Sequence, residues 1–533
     1  MARKQKWVSG LLVFSAALTG GAVAEEWDFS GSTAELGLGY LDEDAFRFGR
    51  FTGLTDKGVY VIGNADVEGW TDEGRLLRFD AADIGLSSRY LRLDYGEIAN
   101  YRLFLEYDGI PNNLFDTART PFIGSGGDIL TLPPDWDFGE TIDDMSRLDE
   151  SLRPFKIETE RRKTTAGARW QFAEPWTLDV KVSHETKDGT DILGAATGAG
   201  FGTGVGSVTS SILPMPVDYT TDQVEVKLGY AKGRGNLELA YYYSGFDNKD
   251  DSLTWQNPFA SVSDTGVLRT SEVGAMALPP DNDFHRFALS GGYRLGDTTR
   301  LSGALSWGRM SQNQAFEPIT VNPALDVTDG MPRQDLGDAD IADVFLRLAS
   351  RPLERTNVRA TYRYHERDDD FDAMTYSYVV ADSRPGGEVT TDPLKYQRHD
   401  FDLGGDYRFN DITLLSLDYA YERMNRDYEA AERKKTDENA LYAKLRFDVH
   451  SDVQFTLYGG RADRDGSRYE VKSEIQNPLL RKYNYADRKQ DKVGARVLWM
   501  PTDDVSVSAS FDYLADDYNN SAIGLTDARH QVF

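Results

Sequence analysis

Six histidines, His184, His285, His365, His399, His450 and His530, are the side chains best suited to hold a metal or shuttle a proton, yet they fall on separate predicted strands. No His-Glu-x-x-His run or paired spacing joins them, so they read as solvated or interior-lining polar groups. Cysteine is absent. Disulfides, thiolate metal sites, thiol catalysis and covalent c-type haem attachment through Cys-x-x-Cys-His are therefore excluded. Acidic runs at Asp42-Glu43-Asp44, Asp368-Asp369-Asp370 and Asp516-Asp517 offer oxygen ligands to hard cations such as calcium, but none has EF-hand spacing. Solvated external loops suit them better, with weak divalent-ion bridging as the alternative. The stretch Gly194 to Gly206, centred on Gly198-Ala199-Gly200-Phe201-Gly202, lacks the Gly-Lys-Ser/Thr ending of a phosphate loop and opens no helix. It reads as a flexible external loop. The expectation is a chain with no catalytic, cofactor-binding or metal-binding residues, and no enzyme activity.

What those residues sit on follows from composition and periodicity. Only 40% of the 533 residues are apolar, yet 12% are aromatic, with 28 Tyr and 26 Phe, and there are 49 Gly. Disordered chains are poor in aromatic residues, whereas tyrosine-rich strands with tight glycine turns have this composition. A net charge of −28 argues against nucleic acid, whose phosphates require clustered Lys and Arg.

The N-terminus carries Arg3, Lys4 and Lys6, an apolar stretch from Val8 to Leu18, and Ala22-Val23-Ala24 before Glu25. That order is a secretory signal peptide over residues 1–24, too short to span a membrane, so the remaining 25–533 are exported.

From about residue 33 a unit of some ten alternating residues recurs. Trp176, Leu178, Val180 and Val182 share one face, and Thr177, Asp179, Lys181, Ser183 and Glu185 the other. The same alternation returns at Leu237 to Tyr243, Leu415 to Tyr421, Leu441 to Val449 and Val505 to Tyr513. Period two means strand. Short turns near Ala173 to Trp176, Lys232 to Asn236, Pro352 to Thr356, His450 to Asp452 and Pro501 to Asp504 alternate with long loops at 189 to 217, 248 to 283, 312 to 340, 370 to 394 and 465 to 487.

Such a plan predicts an all-β fold: a large transmembrane antiparallel β-barrel of about 20 or more strands, with short periplasmic turns and long extracellular loops, in the outer membrane of a Gram-negative cell. A soluble sandwich or propeller is the bland alternative, but strands near ~9 to 11 residues match a bilayer crossing.

A lumen that wide is not filled by its own side chains, and transporters of ~22 strands fill it with a plug. Here barrel-like alternation begins at Glu35-Leu36-Gly37-Leu38-Gly39-Tyr40, which leaves no N-terminal plug domain. Two options follow. The loop at 111 to 150 folds inward and narrows a porin-like channel, or a separate protein occupies the lumen. At the other end, Asp527, Arg529 and Gln531 share the face of Phe533. Three polar residues on an outward face suit no lipid-exposed closing strand, so the native chain is expected to continue past Phe533.

Two segments carry a resemblance. Tyr40-Leu41-Asp42-Glu43-Asp44-Ala45-Phe46-Arg47-Phe48-Gly49-Arg50-Phe51-Thr52-Gly53-Leu54, followed by Lys57-Gly58, resembles the N-terminal signature of the MtrB/PioB family of decahaem-cytochrome-associated outer-membrane proteins. Tyr107-Asp108-Gly109-Ile110-Pro111, Asp116 to Phe122 and Leu130-Thr131-Leu132-Pro133 resemble that family's next signature. Together they cover about the first quarter of the chain. The resemblance implies a barrel that sheathes a periplasmic decahaem or other multihaem c-type cytochrome and holds it across the membrane for extracellular electron transfer. Haem then belongs to the partner alone, and an extracellular cytochrome is a further potential partner. Some members carry a Cys pair near the mature N-terminus, and its absence here removes any thiol-linked role. A porin-like diffusion channel for small solutes is the alternative.

Overall fold

The computed structural model describes residues 12–17 and 27–533, apart from 140, 200–207, 260–271, 324, 326, 328–336, 383, 473–476, 519–520 and 533. Its main sheet has 21 strands. One is Leu12–Ala17, inside the predicted signal segment, which pairs antiparallel with Thr33–Leu41. The rest of that segment lies outside the described residues. The other twenty run in chain order from Thr33–Leu41 to Asp527–Val532, each antiparallel to the next. Open twisted sheets rarely exceed ~10 strands without curling or splitting, and twenty strands in simple succession form the wall of a large β-barrel.

Strand length and alternation explain that wall. Thr413–Arg426 has 14 residues, which at ~3.3 Å per residue and a tilt of ~45° rise about 33 Å, enough to cross the ~30 Å hydrocarbon layer. Successive side chains face opposite sides. Leu441 is 59% exposed and its neighbour Ala440 only 7%. Leu239, Phe287, Leu305, Leu403 and Val493 are likewise exposed on the apolar face. So much apolar surface would drive a soluble protein to aggregate, but it is what a lipid-facing band requires.

At one end, two residues join the strands at 174–175, 233–234, 354–355, 451–452 and 503–504. At the other end lie the long loops. Two loop boundaries differ from expectation. Residues 111 to 120 belong to the strand Tyr101–Thr120, so that loop starts at 121. The segment 189 to 217 is mostly strand, with Trp176–Ala199 and Val208–Lys232 standing up as a hairpin of 24 and 25 residues. Gly189 and Gly194 suggested a loop, but the ladder continues from Asp191↔Met215 to Ala196↔Ser210. Pro214 and Pro216 sit where that strand has no second neighbour, the edge position at which a missing N–H is tolerated.

Above the wall the loops form two packed clusters. Phe122, Leu130, Leu132, Trp136 and Met145 pack on Leu213 and Ala195 of the tall hairpin and on Leu253, Trp255 and Leu278. Ile129–Leu130 runs parallel to Thr254–Trp255, within a small three-stranded sheet completed by Val273–Ala277. The second cluster is ionic. Arg433 donates from Nε to the Ser467 carbonyl (2.7 Å) and from Nη1 to the Tyr485 carbonyl (2.8 Å), and its Nη2 lies 2.6 Å from Asp487 Oδ1. Glu432 beside it takes Lys482 Nζ at 2.7 Å and the Tyr469 hydroxyl.

The last strand pairs Asp527, Arg529 and Gln531 with Asp517, Ala515 and Tyr513. Asp527 and Arg529 therefore sit at the external end of the wall, while Gln531 lies level with Tyr513 and Val493.

Candidate functional site

Alternation gives every strand an inward face, and on this face the charges are organised rather than scattered. Arg78 lies 2.8 Å from Asp80 and within 4 Å of Glu68 and Asp66. On the next strands Arg92 holds Asp94 at 2.7 Å and Glu106 at 2.6 Å, while Arg102 reaches Asp94 from the other side at 2.9 Å. Asp94 is fully buried, so two guanidiniums meet the cost of desolvating one carboxylate. The pattern continues with Arg161–Glu185 (3.2 Å), Arg169–Asp179 (3.6 Å) and Lys227–Glu225 (2.6 Å).

The later half of the wall has a recess of about 810 Å³ lined by Arg286, Asp343, Arg363, His365, Arg398 and Glu422 among others. Small inward residues, Ala288, Ala304, Ala420 and Ala440, make room for it. Arg363 pairs with Asp402 at 2.6 Å, and Arg398 bridges Asp400 (3.1 Å) and Glu422 (2.8 Å). His365 sits between Asp343 and the Tyr396 hydroxyl, at 2.8 and 3.2 Å. Along these strands the inward face is largely polar, carries both signs, and holds many of its charges in pairs.

The histidines are not brought together. His365 faces the lumen, and His184 and His285 keep about half of their side chains exposed. His184, His285 and His399 lie on the outward face, above the leucine band. His184 Nδ1 is 2.8 Å from Asp222, and the Tyr241 and Tyr362 hydroxyls lie 2.9 Å from Nδ1 of His285 and His399 respectively. Each outward histidine belongs to a polar and aromatic collar of the kind that marks a membrane interface. His450 is at a turn and His530 is in the last strand.

The acidic run Asp368-Asp369-Asp370 meets three protein cations, one of which, Arg309, it shares with Asp338 and Asp340. Lys395 lies 2.7 Å from Asp368, Arg367 2.8 Å from Asp369, and Arg309 3.1 Å from Asp370. Among the described residues no group of three or more His, Asp or Glu is placed to hold a metal ion. Asp44 instead accepts the Lys57 N–H at 2.7 Å, and Asp516 accepts from Gln490 Nε2 at 2.9 Å. The centre of the glycine-rich stretch, 200–207, lies outside the described residues.

The first signature segment touches Asn112 and Asn113, which directly follow Pro111 of the second. Asn113 Nδ2 donates to the Gly49 carbonyl (3.0 Å), Arg50 Nε to Asn112 Oδ1 (2.8 Å), and the Asn113 N–H to the Arg50 carbonyl (3.0 Å). Gly53 closes this loop with φ near +81°, and a Cβ there would meet Ser87 Oγ at 2.8 Å. Both the backbone angle and the space demand glycine.

The chain is 29% identical over 505 residues to the outer membrane protein MtrB of Shewanella baltica (strain OS185), covering 93% of this chain and 69% of that protein. Among solved structures, the ferric-catecholate import receptor Fiu of E. coli K12 aligns with a TM-score of 0.41 and 11% identity over 96% of this chain and 71% of the receptor. The copper transporter OprC aligns with a TM-score of 0.43 and 12% identity over 90% of this chain and 69% of the transporter. The family model described as a putative outer membrane beta-barrel porin, MtrB/PioB, matches residues 40–532. With a twenty-strand wall, paired charges inside and a lipid-facing band outside, the chain belongs to the MtrB/PioB family of outer-membrane β-barrels.

Proposed function

We propose that this barrel sheathes a periplasmic decahaem or other multihaem c-type cytochrome within its lumen, so that electrons cross the outer membrane through the partner. The observation that carries the reading is the inward wall: wide, polar, and ion-paired from strand to strand. Barrels much smaller than this already have lumens their own side chains do not fill. A folded protein bearing both charge signs suits a wall on which Arg and carboxylates alternate. The role assigned to the family supplies the identity of that occupant.

In this reading the haems, and all redox chemistry, belong to the partner. This chain binds no cofactor and catalyses no reaction. Its outward leucines hold the assembly in lipid, its strands separate the electron path from the bilayer, and its inward side chains give the partner polar contacts. The packed external loops would offer an extracellular cytochrome a place to dock.

The test is electron transfer from an external donor to an acceptor sealed in liposomes, with barrel alone, cytochrome alone, and both. Only the combination should conduct. A second reading, a porin-like diffusion channel, draws on the family's porin description and on loop 121–152. That loop packs against Leu213 and Ala195, which continue the inward face of the tall hairpin. Free passage of small solutes through the assembled complex would favour it. Ser183 faces inward and donates to Gln223 Oε1 at 3.2 Å. Ser183→Trp should therefore weaken partner insertion while the barrel stays folded.

A further inference from the structure

We propose that two glycine–ring–cation stacks near the periplasmic mouth keep the bore clear for the protein that enters it: Gly167–Phe104–Arg92 and Gly494–Tyr458–Lys492. The proposal rests on the reading that a folded protein occupies the lumen, and it names wall residues that decide whether that protein fits.

Phe104 and Tyr458 are bulky inward side chains on a wall that carries Tyr396 and Tyr442 as well among its charges and small residues. Phe104 stands three positions into the strand Tyr101–Thr120, and Tyr458 five positions into Val453–Gly466, both strands rising from the short-turn end. Both rings are thus close to where a periplasmic protein would enter. Directly across the ladder from Phe104 is Gly167, and across from Tyr458 is Gly494.

A Cβ built on Gly167 would lie 2.2 Å from Phe104 Cε1 and 2.5 Å from Cζ. On Gly494 it would lie 2.3 Å from Tyr458 Cζ and 2.4 Å from Cε2. No carbon tolerates such distances, so each ring lies flat in the space that any other residue's side chain would fill. In both cases the three atoms nearest the added carbon belong to the aromatic side chain, with no backbone among them. On Phe104 a cation presses from the other side, with Arg92 Cζ 4.3 Å from the ring centroid, itself held by Asp94 and Glu106. Lys492 Nζ is 5.9 Å from the Tyr458 centroid, and the Tyr458 hydroxyl donates to Asp512. Cation–π attraction and these anchors hold the rings down.

Glycine in a strand interior gives up packing and backbone entropy, so two inward glycines opposite two inward rings need a reason. Simple stabilisation of the sheet by covering glycine with an aromatic ring is the rival account. The two accounts differ in what happens when the ring is forced up. Under the clearance account, an added methyl lifts the ring into the bore, and removal of the ring restores the space.

The experiment uses the full chain purified from outer membranes with its lumen partner, quantified by haem stain per barrel, beside single-channel conductance of the barrel freed of partner. Gly167→Ala and Gly494→Ala should each lower partner occupancy about tenfold, the scale of a small-to-large packing conflict, and reduce conductance, with heat-modifiable folding unchanged. The pairs Gly167→Ala with Phe104→Ala and Gly494→Ala with Tyr458→Ala should recover both. Full occupancy and conductance in the single variants would overturn the proposal. So would loss that ring removal does not reverse in barrels that remain folded. If the wild-type barrel carries no haem-staining partner, the proposed function fails, whereas the conductance series still decides whether the stacks set the bore.

Discussion

The two loop clusters on the external rim solve the same problem with opposite chemistry. The early one, around Leu130, Leu253 and Trp255, excludes water with apolar side chains that are almost completely buried. The late one buries Glu432 and Arg433 and satisfies them with carbonyls, a tyrosine and opposite charges. An apolar contact tolerates small shifts and is indifferent to proton or salt concentration. A buried ion pair has fixed geometry and depends on every partner being present. The early cluster should therefore yield gradually to truncation, and the late one abruptly to loss of charge or to pH.

The largest effect is expected from Arg433→Ala. It strips a nearly buried guanidinium from Asp487 and two carbonyls, at a cost of about 3–5 kcal/mol, and should show as rapid hydrogen exchange across 427–434 and 467–487. Equal protection in the variant would mean that the loops are held by something other than this cation. Next comes Leu253→Ala, where cavity formation costs about 2–5 kcal/mol. Protease cleavage within 121–152 should rise, while the late cluster keeps its protection. If both clusters loosen together, they are one cooperative unit and the contrast drawn above is wrong.

Alkaline titration should separate the clusters without mutation. Burial, helped by the hydrogen bond to Glu432, pushes the Tyr469 hydroxyl up to about 12, and burial with the neighbouring Tyr485 hydroxyl does the same for Tyr428. A raised folded value means that the protonated phenol is favoured by the fold. Its contribution is complete below the ordinary tyrosine value of about 10 and is lost as pH rises through about 12. Exchange protection of the late cluster should fall across that window, and that of the early cluster should stay flat. The smallest effect is expected from Lys472→Ala, which removes pairs to Glu429 (3.0 Å) and Glu470 (3.2 Å) at an exposed edge. A change above about 1 kcal/mol in late-cluster stability would be too large for a surface pair.

Legibility from sequence followed the range of the interactions. Strands such as Trp176 to Glu185 and Leu441 to Val449 were readable because lipid on one side and a polar lumen on the other impose a two-residue period on the chain itself. The two-residue turns at 451–452 and 503–504 were readable for the same reason, as breaks in that period. Residues 111 to 120 and much of 189 to 217 read as loop in the sequence because Pro111, bulges after Asn113 and the glycines and prolines of 189 to 217 break the two-residue period, while the pairing with the neighbouring strand resumes beyond them. Nothing local in the sequence says which face His184, His285 and His399 occupy, and register puts them outward, beside the aromatic collar. The Gly167 and Gly494 signal was present in the string, but only as glycines among many.

What the sequence determined by itself was everything that depends on neighbours within a few residues: strand period, turn positions, the two signature segments, and the absence of any thiol. Those features reflect the solvents on either side of each strand, and each strand meets the same two solvents. Tertiary structure alone decided which charges meet across strands, which glycine lies under which ring, and that Leu130 and Trp136 share an apolar core with Leu253 and Trp255 while Arg433 shares an ionic one with Tyr485 and Asp487. These are contacts between segments dozens or more residues apart, set by strand register and shear, and no local period encodes them.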